Sequence, residues 1–216
     1  MSKRPTLISE LEPEEPSRPS WSGSPVAART PDAGPSLALA ERIASAPADS
    51  VIKGLFFQAI VDQACAASGR APGRERYLPF KGYPFTEWLE VLVECARLAH
   101  PRLPPREGLR RIGRCVVPRF AESTLGKVLL GVAGTSVAAS LHVFPRMYAS
   151  VGSSGTVRVR DVASTRAVVE LRGLWDFPDA YHVGIFEGGL EALGHTGSVR
   201  AESRSPSDAD LELTWR

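Results

Sequence analysis

The residues best able to do chemistry in this sequence are its four histidines, and their placement limits what that chemistry can be. A histidine carries protons near neutral pH and ligates metals. His142 lies in LHVFPRMY, after a strongly apolar stretch. Such a residue is either a core or boundary side chain or an axial ligand to a cofactor lying beside its helix. His182 and His195 flank an apolar segment without partners at metal-ligand spacing, and His100 precedes Pro101. None of them combines with Cys65, Cys95 or Cys115 at the spacing zinc requires. The chain has no HExxH, no Gly-x-Ser-x-Gly elbow and no phosphate loop ending in Lys-Ser/Thr. The Gly131/Gly134 and Gly152/Gly155 pairs read as helix-packing and turn glycines. Asp176, Asp179 and Glu187 surround a Trp- and Phe-containing loop, but no acid–base pair can be defended among them. The expectation is a protein that is not an enzyme.

Arg106, Arg110 and Arg114 repeat at i, i+4 and i+8, with Arg111 and Arg119 close by, so several cations share one helical face. That face either docks an acidic partner or a phosphate, or is a solvated surface opposite an apolar one. The second reading is preferred, because Arg is abundant throughout the chain while Lys occurs only at positions 3, 53, 81 and 127. No aromatic residues interleave with these cations as a nucleic-acid platform would need, and the net charge of +2 draws no polyanion.

The elements that must position these residues follow from periodicity. Asp49 or Ser50 is expected to cap a helix through VIKGLFFQAIVDQACAAS that closes at Gly69. Further helices are expected over 85–98 (capped by Thr86), 106–117, 124–133 and 136–144, the last constrained by Pro145. After a turn at 152–155 the pattern changes to alternation. Strands are expected over 156–161, 166–172, 198–204 and 210–215, with a helix over 181–193 between the pairs. Five helices, two strands, a helix and two strands make an α+β fold with an antiparallel sheet of about four strands.

Residues 1–48 hold eight of the 18 prolines and read as a disordered Pro/Ser-rich arm, which leaves 49–216 as a single domain. The start lacks the apolar core of a secretion signal, and the apolar run 128–141 is too broken to span a bilayer. Three dispersed cysteines suit a reducing compartment, so the expected location is the cytoplasm.

Several segments carry a resemblance: KGLFFQAIVDQA, GYPFTEWLEVLVECARL, GLRRIGRCVVPRFA, SLHVFPRMY and VGIFEGGLEALG. In their order they resemble the haem-NO/oxygen binding (H-NOX) sensor domain over residues 51–215. The KGLFF start, STLGKVLLG, PRMYASVGSSG and the terminal Trp are more similar to a myxobacterial protein family. The H-NOX resemblance implies a haem with a proximal histidine, and His142 falls at that place. It also implies a Tyr-x-Ser-x-Arg clamp for the propionates, which ELRGLWDFP does not contain. The expectation is therefore a regulatory, small-molecule-sensing domain of H-NOX-like fold without haem. Its apolar pocket would lie between the helical and sheet halves, lined by Phe56, Phe57, His142 and Tyr148. The expected partners are a hydrophobic small molecule and a protein, with neither nucleic acid nor a membrane. The alternatives are an interaction scaffold with a solid core, and a haem gas sensor using His142.

Overall fold

The computed structural model describes residues 35–123, 126–128 and 136–216. The elements run α1 (Pro35–Ser45), β1 (Val51–Lys53), α2 (Gly54–Ser68), β2 (Gly82–Pro84), α3 (Phe85–Ala99), α4 (Pro105–Glu122), α5 (Val137–Val151), β3 (Thr156–Arg160), β4 (Arg166–Arg172), α6 (Tyr181–Ala192), β5 (Gly197–Ser205) and β6 (Asp208–Trp215). The fold is α+β, with a two-stranded antiparallel β1–β2 ladder and a four-stranded antiparallel sheet in the order β3-β4-β6-β5. The helix expected over 124–133 lies largely outside the described residues, as do Gly131 and Gly134.

Alternation decides the main sheet. Ala167, Val169 and Leu171 of β4 and Ala209, Leu211 and Leu213 of β6 face inward and are buried. Val169 sits opposite Val159 on one side and Leu211 on the other. The intervening residues form a charged ladder on the outer face, where Arg172 and Arg204 both bond the Asp210 carboxylate and Arg166 pairs with Glu212 at 2.7 Å. A period of two thus separates core from solvent. α6 lies on the apolar face and contributes Val183, Phe186 and Leu190 to this core.

A second core belongs to the helical half and is aromatic. Phe57 stacks on Tyr77 at 4.4 Å and meets Trp88 edge-on at 5.1 Å. Rings at these distances add to the burial of their surface.

Four expectations need correction. Residues 35–45, placed in the disordered arm, form a helix whose Arg42 is buried at the end of the loop before α6. The first core helix begins at Gly54, not after a cap at Asp49 or Ser50, because 51–53 pair as a strand with 82–84. α3 begins at Phe85 behind Pro84, and Thr86 does not cap it. α4 and α5 continue through Pro118 and Pro145 for another turn or more. Each proline removes one intrahelical bond, but the apolar stripe persists on both sides, through Val116–Phe120 and Leu141–Phe144–Tyr148, and packing holds the helix past the gap.

The arginine face of α4 stays about half exposed, as expected, but it also docks an acidic partner. Arg106, Arg110 and Arg114 pair with Asp179, Glu187 and Glu191, so the acidic partner is the chain's own α6 and the loop before it. The Arg110 and Arg114 pairs are two-pronged, with Nε–O distances of 2.9 and 2.8 Å. Beneath the ion pairs the two backbones touch through Gly113, Gly184 and Gly188.

Candidate functional site

A cavity of about 280 Å³ opens among α2, α3, α4, α5 and α6. Its walls are overwhelmingly apolar: Phe56 from α2, Val116 and Phe120 from α4, Leu141 and Phe144 from α5, and Ile185, Phe186 and Leu190 from α6. Its size lies at the lower edge of the roughly 300–1,000 Å³ range typical of small-molecule pockets.

Polar groups gather where the loop after β4 meets α6. Trp88 Nε1 donates to Asp176 Oδ2 at 3.2 Å. Asp176 Oδ1 lies 3.7 Å from His182 Nε2, too far for a direct hydrogen bond. The Tyr148 ring centroid is 5.9 Å from that of His182, and the Tyr181 centroid is 5.4 Å from it. Asp176 is 2% exposed and His182 not at all. Even so, Asp176 Oδ1, both His182 ring nitrogens and the Tyr148 hydroxyl are buried without a hydrogen-bond partner among the described residues. Buried polar atoms are nearly always satisfied by protein, water or ligand, so a group of orphans in one place calls for an explanation.

Local backbone chemistry explains how Asp176 comes to point inward. Just past β4, Gly173 takes a positive φ of 68° while its N–H donates to the Asp208 carboxylate at 2.7 Å. Phe177 then adopts φ 60°, a left-handed conformation that costs a bulky residue about 1–3 kcal/mol and needs its surroundings to hold it. Arg42 does so. Its guanidinium lies 4.3 Å from the centre of the Phe177 ring and donates to the Trp175 and Pro206 carbonyls. Burial, and after it the Arg106 charge, bring the Arg42 pKa down to about 10, which leaves it a cation at neutral pH.

Burial lowers the His182 pKa below its ordinary 6.5, against the opposing pull of the Asp176 charge and of the nearby Asp176 and Phe177 backbone carbonyls, so the ring is neutral at pH 7. Burial, and then the Asp176 charge, hold the Tyr148 and Tyr181 hydroxyls well above their ordinary 10, so both remain donors. Unfolding restores His182 to its ordinary value and lets it take up a proton that the folded state refuses. Stability should therefore fall as pH drops below about 6.5 and level off once the folded pKa is passed. His182→Gln is expected to flatten the change in urea midpoint between about pH 7.5 and about pH 5.5. A residual slope should remain from His100, whose pKa burial also lowers.

Of the residues singled out in the sequence, Phe56 and Tyr148 line the cavity and Phe57 and His142 do not. Phe57 is fully buried in the aromatic core one residue further round α2, and His142 lies on the exposed side of α5. His182, Asp176 and Trp88, which sequence reasoning did not group, carry the polar end. The available signal was a histidine inside an unbroken apolar helix, YHVGIF, six residues after an aspartate.

No Arg or Lys is among the described residues lining the cavity. A haem here would lack both the expected proximal histidine and any cation for its propionates, so the residues present do not fit that group. Among the described residues no group of three or more His, Cys, Asp or Glu could hold a metal ion, and no helix is long and apolar enough to cross a membrane. Cys95 is buried with its thiol pushed up to about 12 by desolvation, Cys115 is half-buried, and Cys65 is exposed.

A helical half packed on a four-stranded antiparallel sheet defines an H-NOX-like fold, and solved structures share it. One is the Fe(II) unliganded H-NOX protein from K. algicida, with a TM-score of 0.54 at 14% identity over 76% of this chain and 97% of that one. Another is the H-NOX protein from S. oneidensis in the Fe(II)NO ligation state, with 0.57 at 13% identity over 76% and 99%. A third is an oxygen-binding H-NOX domain related to soluble guanylate cyclases, with 0.53 at 15% identity over 76% and 92%. No curated protein matches the chain. By sequence the chain belongs to DUF2378, a family of proteins of unknown function whose profile matches residues 46–216.

Proposed function

We propose that this chain is a non-catalytic sensing domain that holds a small, mostly apolar molecule in the cavity between α4, α5 and α6, without haem. The observation that carries this reading is the coexistence of apolar walls with buried, unpartnered polar atoms on Asp176, His182 and Tyr148. A scaffold with a solid core would have neither feature. The misfit of haem supports a fold kept for binding after a change of ligand, since fold alone does not set function. A catalytic reading lacks support. The Asp176 carboxylate stands 3.7 Å from the His182 ring, too far for a hydrogen bond, and neither the Ser140 nor the Tyr148 hydroxyl bonds the imidazole. In this reading the chain ahead of α1 tethers the domain or recruits a protein partner in the cytoplasm.

Native mass spectrometry of the protein as purified, with an absorption spectrum of the same sample, tests the reading. The expected result is a non-covalent adduct of a small molecule without a Soret band, lost in Gly189→Phe. Gly189 lines the cavity, and a Cβ there would meet nothing within 4 Å. A Soret band that survives desalting would contradict the reading. So would an apo mass whose melting temperature does not respond to toluene or benzyl alcohol.

A further inference from the structure

The orphaned atoms at the polar end also limit the chemistry of the ligand. Asp176 lines the cavity, and its Oδ1 is a buried acceptor without a partner, its other oxygen being held by Trp88 at 3.2 Å. His182 Nε2 stands 3.7 Å from that oxygen. One ligand atom at ordinary hydrogen-bond distance of about 2.8 Å from each would bridge them. The Tyr148 hydroxyl is unpartnered beside the same imidazole. Apart from the Ser140 hydroxyl and the Met147 sulfur, the walls beyond this cluster are mostly carbon, from Val116, Phe120, Leu141, Phe144 and Phe186 among others.

Charge narrows the choice. No described lining residue is a cation, and Asp176 is the one described lining residue that is an acid. Arg42 acts on Asp176 through space, but it does not line the cavity and its Nη1 is engaged with the Trp175 and Pro206 carbonyls. An anionic head group would enter an apolar site with a carboxylate and a neutral imidazole and find no counter-charge, an arrangement that burial penalises heavily. A head that donates a hydrogen bond would satisfy Asp176 Oδ1, and a hydroxyl could also accept one from His182 or Tyr148.

Resting on the reading of this cavity as a ligand site, we infer that its ligand is an alcohol, phenol or amine on a compact apolar body, and that carboxylates are excluded. Asp176 is the specificity-determining residue, with His182 and Tyr148 completing its grip. Each buried hydrogen bond to a charged group is worth about tenfold or more in affinity.

The test uses the full chain and four probes that share one ring: benzyl alcohol, benzylamine, toluene and benzoate, followed by calorimetry and by thermal shift. Benzyl alcohol and benzylamine are expected to bind about tenfold or more tighter than benzoate, and benzyl alcohol tighter than toluene. Asp176→Asn keeps an acceptor for Trp88, so it is the variant best able to fold. It should remove the preference for the amine and leave toluene binding unchanged, and Tyr148→Phe should weaken benzyl alcohol but not toluene. Toluene or benzoate binding as tightly as benzyl alcohol would overturn the inference while leaving the pocket standing. Silence from all four probes in a folded protein would instead remove the pocket reading, and this inference with it.

Discussion

Gly184→Val is expected to unfold the protein or to lower its stability by more than about 3 kcal/mol, although only two methyls and one carbon are added. Gly184 sits where α6 crosses α4. A Cβ built on it would fall inside 3.0 Å of the Arg110 carbonyl oxygen, a separation real side chains do not show. Gly188 bears the same relation to the Arg114 carbonyl, and Gly113 of α4 to the Tyr181 carbonyl. The obstructing atoms are backbone, so no rotamer change relieves the clash and the helices must separate. Separation would also break the Arg110–Glu187 and Arg114–Glu191 pairs and open the floor of the cavity, since Tyr181, His182 and Ile185 lie on the same helix. Pro118 adds to the logic of this seam. It cannot donate to the Arg114 carbonyl, and that carbonyl is the one Gly188 approaches. Gly189→Ala is the control, one position further along α6 with open space around its Cβ. It should raise stability by about 0.5–1 kcal/mol through helix propensity alone. Urea denaturation of the two variants checks both signs.

The second large effect is expected at Arg42, far from the cavity in sequence but next to the loop that shapes it. Arg42→Ala would leave the Trp175 and Pro206 carbonyls without their donor and the Phe177 ring without its cation. With hydrogen bonds from a charged donor worth about 1.5–3 kcal/mol, and with Phe177 released from a left-handed backbone, a loss of about 3 kcal/mol is expected. Arg42→Lys should recover only part of it, because an ammonium cannot reach two carbonyls and stack on a ring together. Because Asp176 precedes Phe177 in that loop, benzyl alcohol affinity should fall in Arg42→Ala by more than toluene affinity does. Thermal unfolding and calorimetry measure the two consequences separately.

How much of this was legible in the sequence depended on whether the determining pattern was local. The four main strands and α6 follow from alternation and from the 3.6-residue spacing of Val183, Phe186 and Leu190. The β1–β2 ladder did not show, because three-residue strands carry no period and are fixed by pairing across thirty residues. The prolines at 118 and 145 misled for a related reason: local propensity disfavours them in a helix, and tertiary packing outweighs it. The arginine series was visible on one face of α4, but its acidic partners lie more than seventy residues away. At the site, Phe56 and Tyr148 were found from apolar helical faces. His142 was favoured because it sits in a more conspicuous motif than His182, yet a difference of about one hundred degrees per residue on α5 turns it out to solvent. Asp176 could not be assigned inward without the positive φ of Phe177, which no composition or periodicity encodes.

Diffraction from crystals pressurised with xenon tests most directly whether the cavity accepts a guest, since xenon enters apolar voids and scatters strongly. The account expects a xenon peak among Phe120, Leu141, Phe144 and Phe186 in the native protein and none there in Gly189→Phe. An empty cavity at full pressure, with the α5 side chains closed over the volume, would contradict it.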